Sequence, residues 1–230
     1  MLSLGPCQLK FMRLFFSIWF VFVFSGSLLA KNFEEEYLVK TKGLVIGELN
    51  WKLKMSEGYY ETSIKLKSRG LISALYKFEG LYGAFGNIQK KKLFPKEYFQ
   101  NWTTKKKRRD VKIIFYDFEV SEMLLVPKEK EFARIEYVGL SDYSDPLTSF
   151  VNILLGAKYS YTIDGRRVYK LLLTHENENK KILIKEYKNI WADHSRNDLE
   201  YLEVYSDKDS VLPLKIKIMF KGSVFSLIKN

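Results

Sequence analysis

One cysteine and two histidines in 230 residues remove several classes of chemistry at the start. The cysteine, Cys7, precedes an apolar segment that reads as a removable leader, so the processed chain carries no thiol. Disulfides, a cysteine nucleophile and thiolate metal sites are excluded for it, as is a lipid-accepting cysteine, which must follow such a segment. The only metal-ligand set on offer is His175, Asp193 and His194. Their settings, HENENK and DHSRND, read as polar loops rather than a zinc centre. No Gly-x-Ser-x-Gly turn occurs to expose a serine nucleophile. No catalytic, metal or cofactor residue is assigned, and the chain is not expected to be an enzyme.

Acid is also scarce. The chain has 27 Asp and Glu against 38 Lys and Arg, a formal charge of +11. Loss of Lys10 and Arg13 with the leader removes two of those charges and no acid. Such an excess keeps a surface solvated and favours anionic partners: lipid head groups, acidic glycans or polyanions. The Lys105–Arg109 run (KKKRR) has the look of a nuclear-targeting patch. Export contradicts that use and argues against nucleic acid as a partner, so the run reads as an exposed turn before a strand.

What is present is, first, an address. Lys10 and Arg13 form a basic head, Leu14–Phe24 is apolar apart from Ser17, and Ser25-Gly26-Ser27-Leu28-Leu29-Ala30 supplies small residues. This is the order of a secretory signal peptide. Cleavage is expected after Ala30, with Ser27 as second choice, and Met12 is an alternative start. Residues 1–30 are thus a signal peptide and residues 31–230 a single β-rich periplasmic domain. The competing reading is an inner-membrane anchor over residues 14–30, at the lower edge of the roughly 17 to 25 residues a spanning helix needs. The expected result is a processed protein that begins near Lys31 and is released by osmotic shock. N-terminal sequencing that finds residues 14–24 intact on membrane-bound protein supports the anchor instead.

The second feature is alternation. Val45, Gly47, Leu49, Trp51, Leu53 and Met55 fall on one face and Glu48, Asn50, Lys52 and Lys54 on the other. After the Ser56-Glu57-Gly58 turn, Tyr60, Thr62, Ile64 and Leu66 alternate with Glu61, Ser63, Lys65 and Lys67. Period two makes this a hairpin with one wet and one dry face. Further strands are expected at 111–118, 132–138, 159–163, 166–173, 181–190, 199–205, 214–220 and 223–228, with Asp164-Gly165 as a tight turn. The acidic Glu34–Glu36 run reads as a flexible start. Gly80, Gly83 and Gly86 read as points of sheet curvature whose missing side chains leave internal space.

One segment has a different period. Asp145 or Ser144 caps, Pro146 suits the first turn, and Leu147, Phe150, Val151, Leu154 and Leu155 form a stripe before Gly156. A short helix over about 145–156 is expected. The fold class is therefore mainly β: an antiparallel meander curled into a half-barrel or barrel so that its edges do not aggregate, with the helix as plug or lid and an N-terminal signal helix.

In its order of elements the chain resembles the exported bacterial proteins of domain-of-unknown-function family 3108. The resemblance rests on Gly43-Leu44-Val45-Ile46-Gly47-Glu48, the glycine-flanked Leu71–Tyr76, Asp145-Pro146-Leu147-Thr148, Asp164-Gly165 with Tyr169, and Leu212-Pro213. It spans roughly residues 35–228, leaving 87–110 and 176–198 unmatched. It implies a β-rich envelope protein of Gram-negative bacteria and no catalytic residue.

Aromatics make up 16% of the chain. They fill a β core or line an apolar cavity at one end of a barrel. The candidate cavity residues are Trp51, Leu75, Tyr76, Tyr82, Phe85, Phe150 and Leu154. The expected function is binding or carriage of an apolar or amphipathic envelope component, with lipid or another envelope protein as partner and membrane-surface contact. The rival is a structural or protein-interaction scaffold with a filled β core.

Overall fold

The structure is a computed structural model that describes residues 30–230 apart from 71–72, 75, 176–178, 192–197 and 208. Residues 1–29, which carry nearly all of the expected signal peptide, and Leu75, Asp193 and His194 therefore lie outside the described residues.

Among the described residues fourteen strands form one sheet. In chain order they are β1 (Lys31–Thr41), β2 (Leu44–Ser56), β3 (Tyr59–Ser68), β4 (Phe78–Gln89), β5 (Lys92–Thr104), β6 (Arg108–Tyr116), β7 (Glu119–Val126) and β8 (Tyr143–Ser144). After the helix α1 (Pro146–Leu154) come β9 (Tyr159–Ile163), β10 (Arg167–His175), β11 (Asn179–Asn189), β12 (Leu199–Tyr205), β13 (Lys215–Phe220) and β14 (Ser223–Lys229). The lateral order is β7-β6-β5-β4-β3-β2-β1-β14-β13-β12-β11-β10-β9-β8. All neighbours are antiparallel except β8 and β9, which are parallel. Pairing of β1 with β14 joins the first and last strands, and the sheet curls into a nearly closed barrel.

The seam lies between β7 and β8. A strap, residues 127–142, runs across it. Its anchors are the backbone bonds Val120 N to Leu140 O (3.1 Å), Gly139 N to Val120 O (2.8 Å) and Arg134 N to Ile190 O (2.7 Å). An ion pair between Arg166 and Glu129 adds a side-chain tie. This strap contains 132–138, which alternation marks as a strand. It is not one: among the described residues no strand pairs with it, and Phe132 is 95% exposed.

Four strands were hidden in the sequence: β1, β5, β7 and the two-residue β8. β1 contains Glu34–Glu36, so the flexible start is corrected to a central strand. Cross-strand partners neutralise its acids: Glu34 meets Lys52 at 2.9 Å and Glu35 meets Lys229 at 2.9 Å. β5 contains Pro95, which is tolerated because the register slips opposite it, between Phe85 and Gly86. A slip between Ile114 and Phe115 likewise breaks the alternation that would reveal β7.

The glycine expectation is half corrected. Gly86 sits at that bulge, and a Cβ there would lie 2.0 Å from the Phe94 carbonyl oxygen, so the curvature needs glycine. Gly83 alternates with the inward Tyr82 and Ala84 and so faces outward. The ring of Phe99 fills its place, 2.4 Å from where a Cβ would be, and no internal space results. Gly80 is covered by the rings of Tyr82 and Trp102. In the β9–β10 turn Asp164 N bonds Arg167 O, so the central residues are Gly165, at φ +89°, and Arg166, one position later than expected.

Helix α1 closes one end. Asp145 caps it, accepting from Leu147 N at 2.9 Å and Thr148 N at 3.0 Å. Of its expected stripe Leu147 and Val151 are buried, Phe150 and Leu154 half-buried and Leu155 exposed, while much of its polar face is buried: Thr148, Ser149 and Asn152. Asn152 accepts from Leu93 N (2.8 Å) and donates to Leu93 O (2.9 Å), Thr148 Oγ1 meets Tyr60 Oη at 2.6 Å, and Ser160 Oγ donates to Ser149 Oγ at 3.1 Å. Buried polar groups so paired fix the helix to the wall at several points. It is a plug.

Candidate ligand-binding cavity

The alternation fixes which side chains face inward, and the plug fixes where they stop. Among the described residues, a cavity of about 680 Å³ runs from α1 to the opposite end of the barrel, where it opens. Its walls are mostly apolar: Leu49 and Trp51 of β2, Ile64 and Leu66 of β3, Ile216 and Ile218 of β13. Pro146, Leu147 and Phe150 of α1 form the floor, where Phe150 stacks on Trp51 at a centroid distance of 5.8 Å. At the mouth stand Trp102, Arg109, Asp164, Arg167, Leu199 and Phe220.

Of the residues singled out from sequence, Trp51, Tyr82 and Phe150 line the cavity. Phe85 does not. It alternates with Ala84 and lies on the outer face, the opposite side from Tyr82. Leu154 packs beneath the plug against the lower core. Tyr76 is on the rim, 56% exposed. It starts an aromatic line that leads inward: Tyr76 to Phe78 at 6.2 Å, then Phe78 stacked on Trp102 at 5.4 Å. Leu75 is outside the described residues.

Sequence reasoning missed the polar groups at the mouth. Arg167 is balanced by Asp164 at 3.8 Å and lies over the ring of Tyr187. Burial raises the Asp164 pKa, while Arg167 and the backbone N–H groups of Arg166 and Arg167 pull it down. Arg166 is held by Glu129, and Arg108 by Asp110 at 2.9 Å. Burial, followed by repulsion from Arg109 and Arg167, lowers the Arg166 pKa. Arg109 lines the cavity and has no acidic partner among the described residues. The signal available in sequence was the KKKRR run, whose last residue Arg109 is the inward member, at the start of β6. Tyr82, pushed up to about 12 by burial, remains a neutral hydroxyl at ordinary pH.

No cluster of three or more His, Cys, Asp or Glu suited to a metal occurs among the described residues. No helix among them is long and apolar enough to cross a membrane.

These features define a β-barrel-like domain with an open, apolar interior. No protein-family model matches the chain, and no curated protein matches it in sequence. In fold it is similar to a solved structure, the β-barrel-like protein of domain of unknown function DUF1849 from Brucella abortus. The two superpose with a TM-score of 0.53 at 8% sequence identity, covering 89% of this chain and 98% of that one. The fold is thus that of a β-barrel-like domain of unknown function. The number 3108 finds no family-model match.

Proposed function

We propose that this chain is a non-enzymatic carrier of the bacterial cell envelope. It is exported to the periplasm and binds an amphipathic molecule with a long apolar chain and an anionic head. One observation carries the reading: an open apolar cavity of about 680 Å³ with Arg109 unpaired at its mouth. That volume lies within the roughly 300–1,000 Å³ of ligand sites, and apolar walls with few convergent polar groups are their usual chemistry. The apolar chain lies along Leu49, Leu66 and Ile218 toward Phe150, and the anionic head meets Arg109 and Arg167. A guanidinium suits carboxylate or phosphate because its planar N–H groups bond both oxygens. The rival, a scaffold with a filled barrel, lacks a use for this space.

The test uses a fluorescent fatty acid, 11-(dansylamino)undecanoic acid. It is expected to bind in the micromolar range and to be displaced by palmitate. Ile218→Trp with Leu66→Trp fills the cavity and should weaken binding by about tenfold or more while thermal unfolding stays cooperative. Arg109→Glu should weaken palmitate by about tenfold and leave hexadecanol unchanged. Unaltered probe binding in the filled variant places the probe elsewhere and ends the carrier reading in favour of the scaffold.

A further inference from the structure

The two ends of the barrel differ in charge. At the mouth the described connections carry Lys42, Arg69, Lys77, Lys105, Lys106, Lys107, Arg166 and Lys221, and the start of the strap adds Lys128 and Lys130, against Asp164, Asp198 and the strap's Glu129 and Glu131. The plugged end mixes Glu57, Asp117, Asp142, Asp207 and Asp209 with Lys90, Lys91 and Lys158. Apolar side chains stand exposed among the mouth's cations. Leu44 is 63% exposed, Tyr76 56% and Val224 40%. Leu44 and Val224 stand at the starts of β2 and β14, beside adjacent turns, because β1 pairs with both strands and Thr41 Oγ1 donates to Val224 O at 3.1 Å. Lys105 Nζ reaches the Ala74 carbonyl at 3.3 Å and so ties the basic β5–β6 turn to the segment that carries Tyr76.

Protruding leucine, valine and tyrosine ringed by lysines are what an anionic bilayer surface accepts. The cations meet phosphates, and the apolar tips enter the headgroup boundary. We propose that the mouth is a membrane-docking face for anionic phospholipid bilayers. The cavity then opens directly onto the lipid, and the Tyr76–Phe78–Trp102 line leads from bilayer to interior. The proposal rests on the carrier reading, since it supplies the route by which a lipid-like ligand enters.

The experiment labels the full chain, in a Cys7→Ser background, with an environment-sensitive nitrobenzoxadiazole at Leu44→Cys or at Lys158→Cys on the opposite end. Vesicles of phosphatidylethanolamine with phosphatidylglycerol should shift the emission of residue 44 to the blue. Vesicles of phosphatidylcholine should not, and residue 158 should stay unshifted with either. Salt should reverse the shift. Replacing Lys105, Lys106 and Lys107 with glutamate should raise the lipid concentration needed by about a hundredfold, with dansyl-probe affinity in solution unchanged. An equal shift on phosphatidylcholine, a shift at residue 158, or a silent residue 44 in a chain that binds the dansyl probe overturns the docking alone. Failure of the wild-type chain to bind the probe overturns the carrier reading beneath it.

Discussion

Trp51→Ala should destabilise the barrel by about 3–5 kcal/mol, the usual cost of deleting a buried aromatic side chain. Trp51 is 1% exposed. Its ring stacks on Phe150 of the plug, and its Nε1 donates to Thr62 Oγ1 at 2.9 Å. Three losses therefore fall together: apolar burial, the stack that seats α1, and a buried hydrogen bond. Thr62 keeps one bond, to the Lys52 carbonyl at 3.1 Å, so the hydroxyl is not orphaned and the cost stays within the range for a cavity. The neighbouring Lys52→Ala removes only a surface ion pair with Glu34, both side chains being more than half exposed, and should cost less than about 1 kcal/mol. Trp51→Phe, which keeps a ring against Phe150, should fall between the two. Urea unfolding followed by circular dichroism measures all three. Equal shifts for Trp51→Ala and Lys52→Ala would show that the plug is held by its polar bonds alone.

Trp51 was legible because its strand alternates without interruption, and so was the helix cap at Asp145-Pro146. Each element carries its signal within a few residues. What was not legible depends on partners far along the chain. Glu34–Glu36 look solvated until Lys52 and Lys229 are placed beside them. Pro95 looks like a strand breaker until the slip at Gly86 makes room for it. Phe132–Val138 has the right alternation but no neighbouring strand, and a strand without a partner is only extended chain. The same holds for the site. Aromatic content announced a core or a cavity, and period two pointed Trp51 and Tyr82 inward. Phe85 was misplaced because a glycine-spaced run hides its parity. The importance of Arg109 could not be read, since it follows from pairing: Arg108 has Asp110, Arg166 has Glu129 and Arg167 has Asp164, which leaves Arg109 facing the opening.

Asp145→Asn should flatten part of the pH dependence of stability. Asp145 is fully buried, and burial pushes its pKa up to about 6, although Thr148 Oγ1 and the N–H groups of Thr148 and Leu147 pull the other way. Its ordinary value is near 3.8. The native state therefore holds this proton more tightly than the unfolded chain. Below about pH 3 both states are protonated and the group costs nothing. As pH rises from about 3 to 7 the unfolded chain ionises first, and the native state loses about 3 kcal/mol relative to it. Above about pH 7 the loss is complete and constant. The wiring permits either state. Ionised Asp145 accepts from Thr148 Oγ1, which accepts in turn from Tyr60; protonated Asp145 donates to Thr148, which donates to Tyr60. Asparagine reproduces the protonated arrangement, its amide donating to Thr148 while its oxygen caps α1. Tyr60, Tyr98 and Tyr169 are coupled to this carboxyl, and burial raises all three, so none titrates in this range. Asp164 shifts in the same direction, and the lowered Glu34 and Glu48 act oppositely, so the difference between Asp145→Asn and wild type is the quantity to read. That difference should move by about 3 kcal/mol in favour of the variant between pH 3 and pH 7. Asp145→Ala lacks the cap and should lose about 0.5–2 kcal/mol relative to Asp145→Asn at every pH. A difference that stays flat would mean the carboxyl ionises as easily inside the barrel as in water, with its three donors fully offsetting its burial.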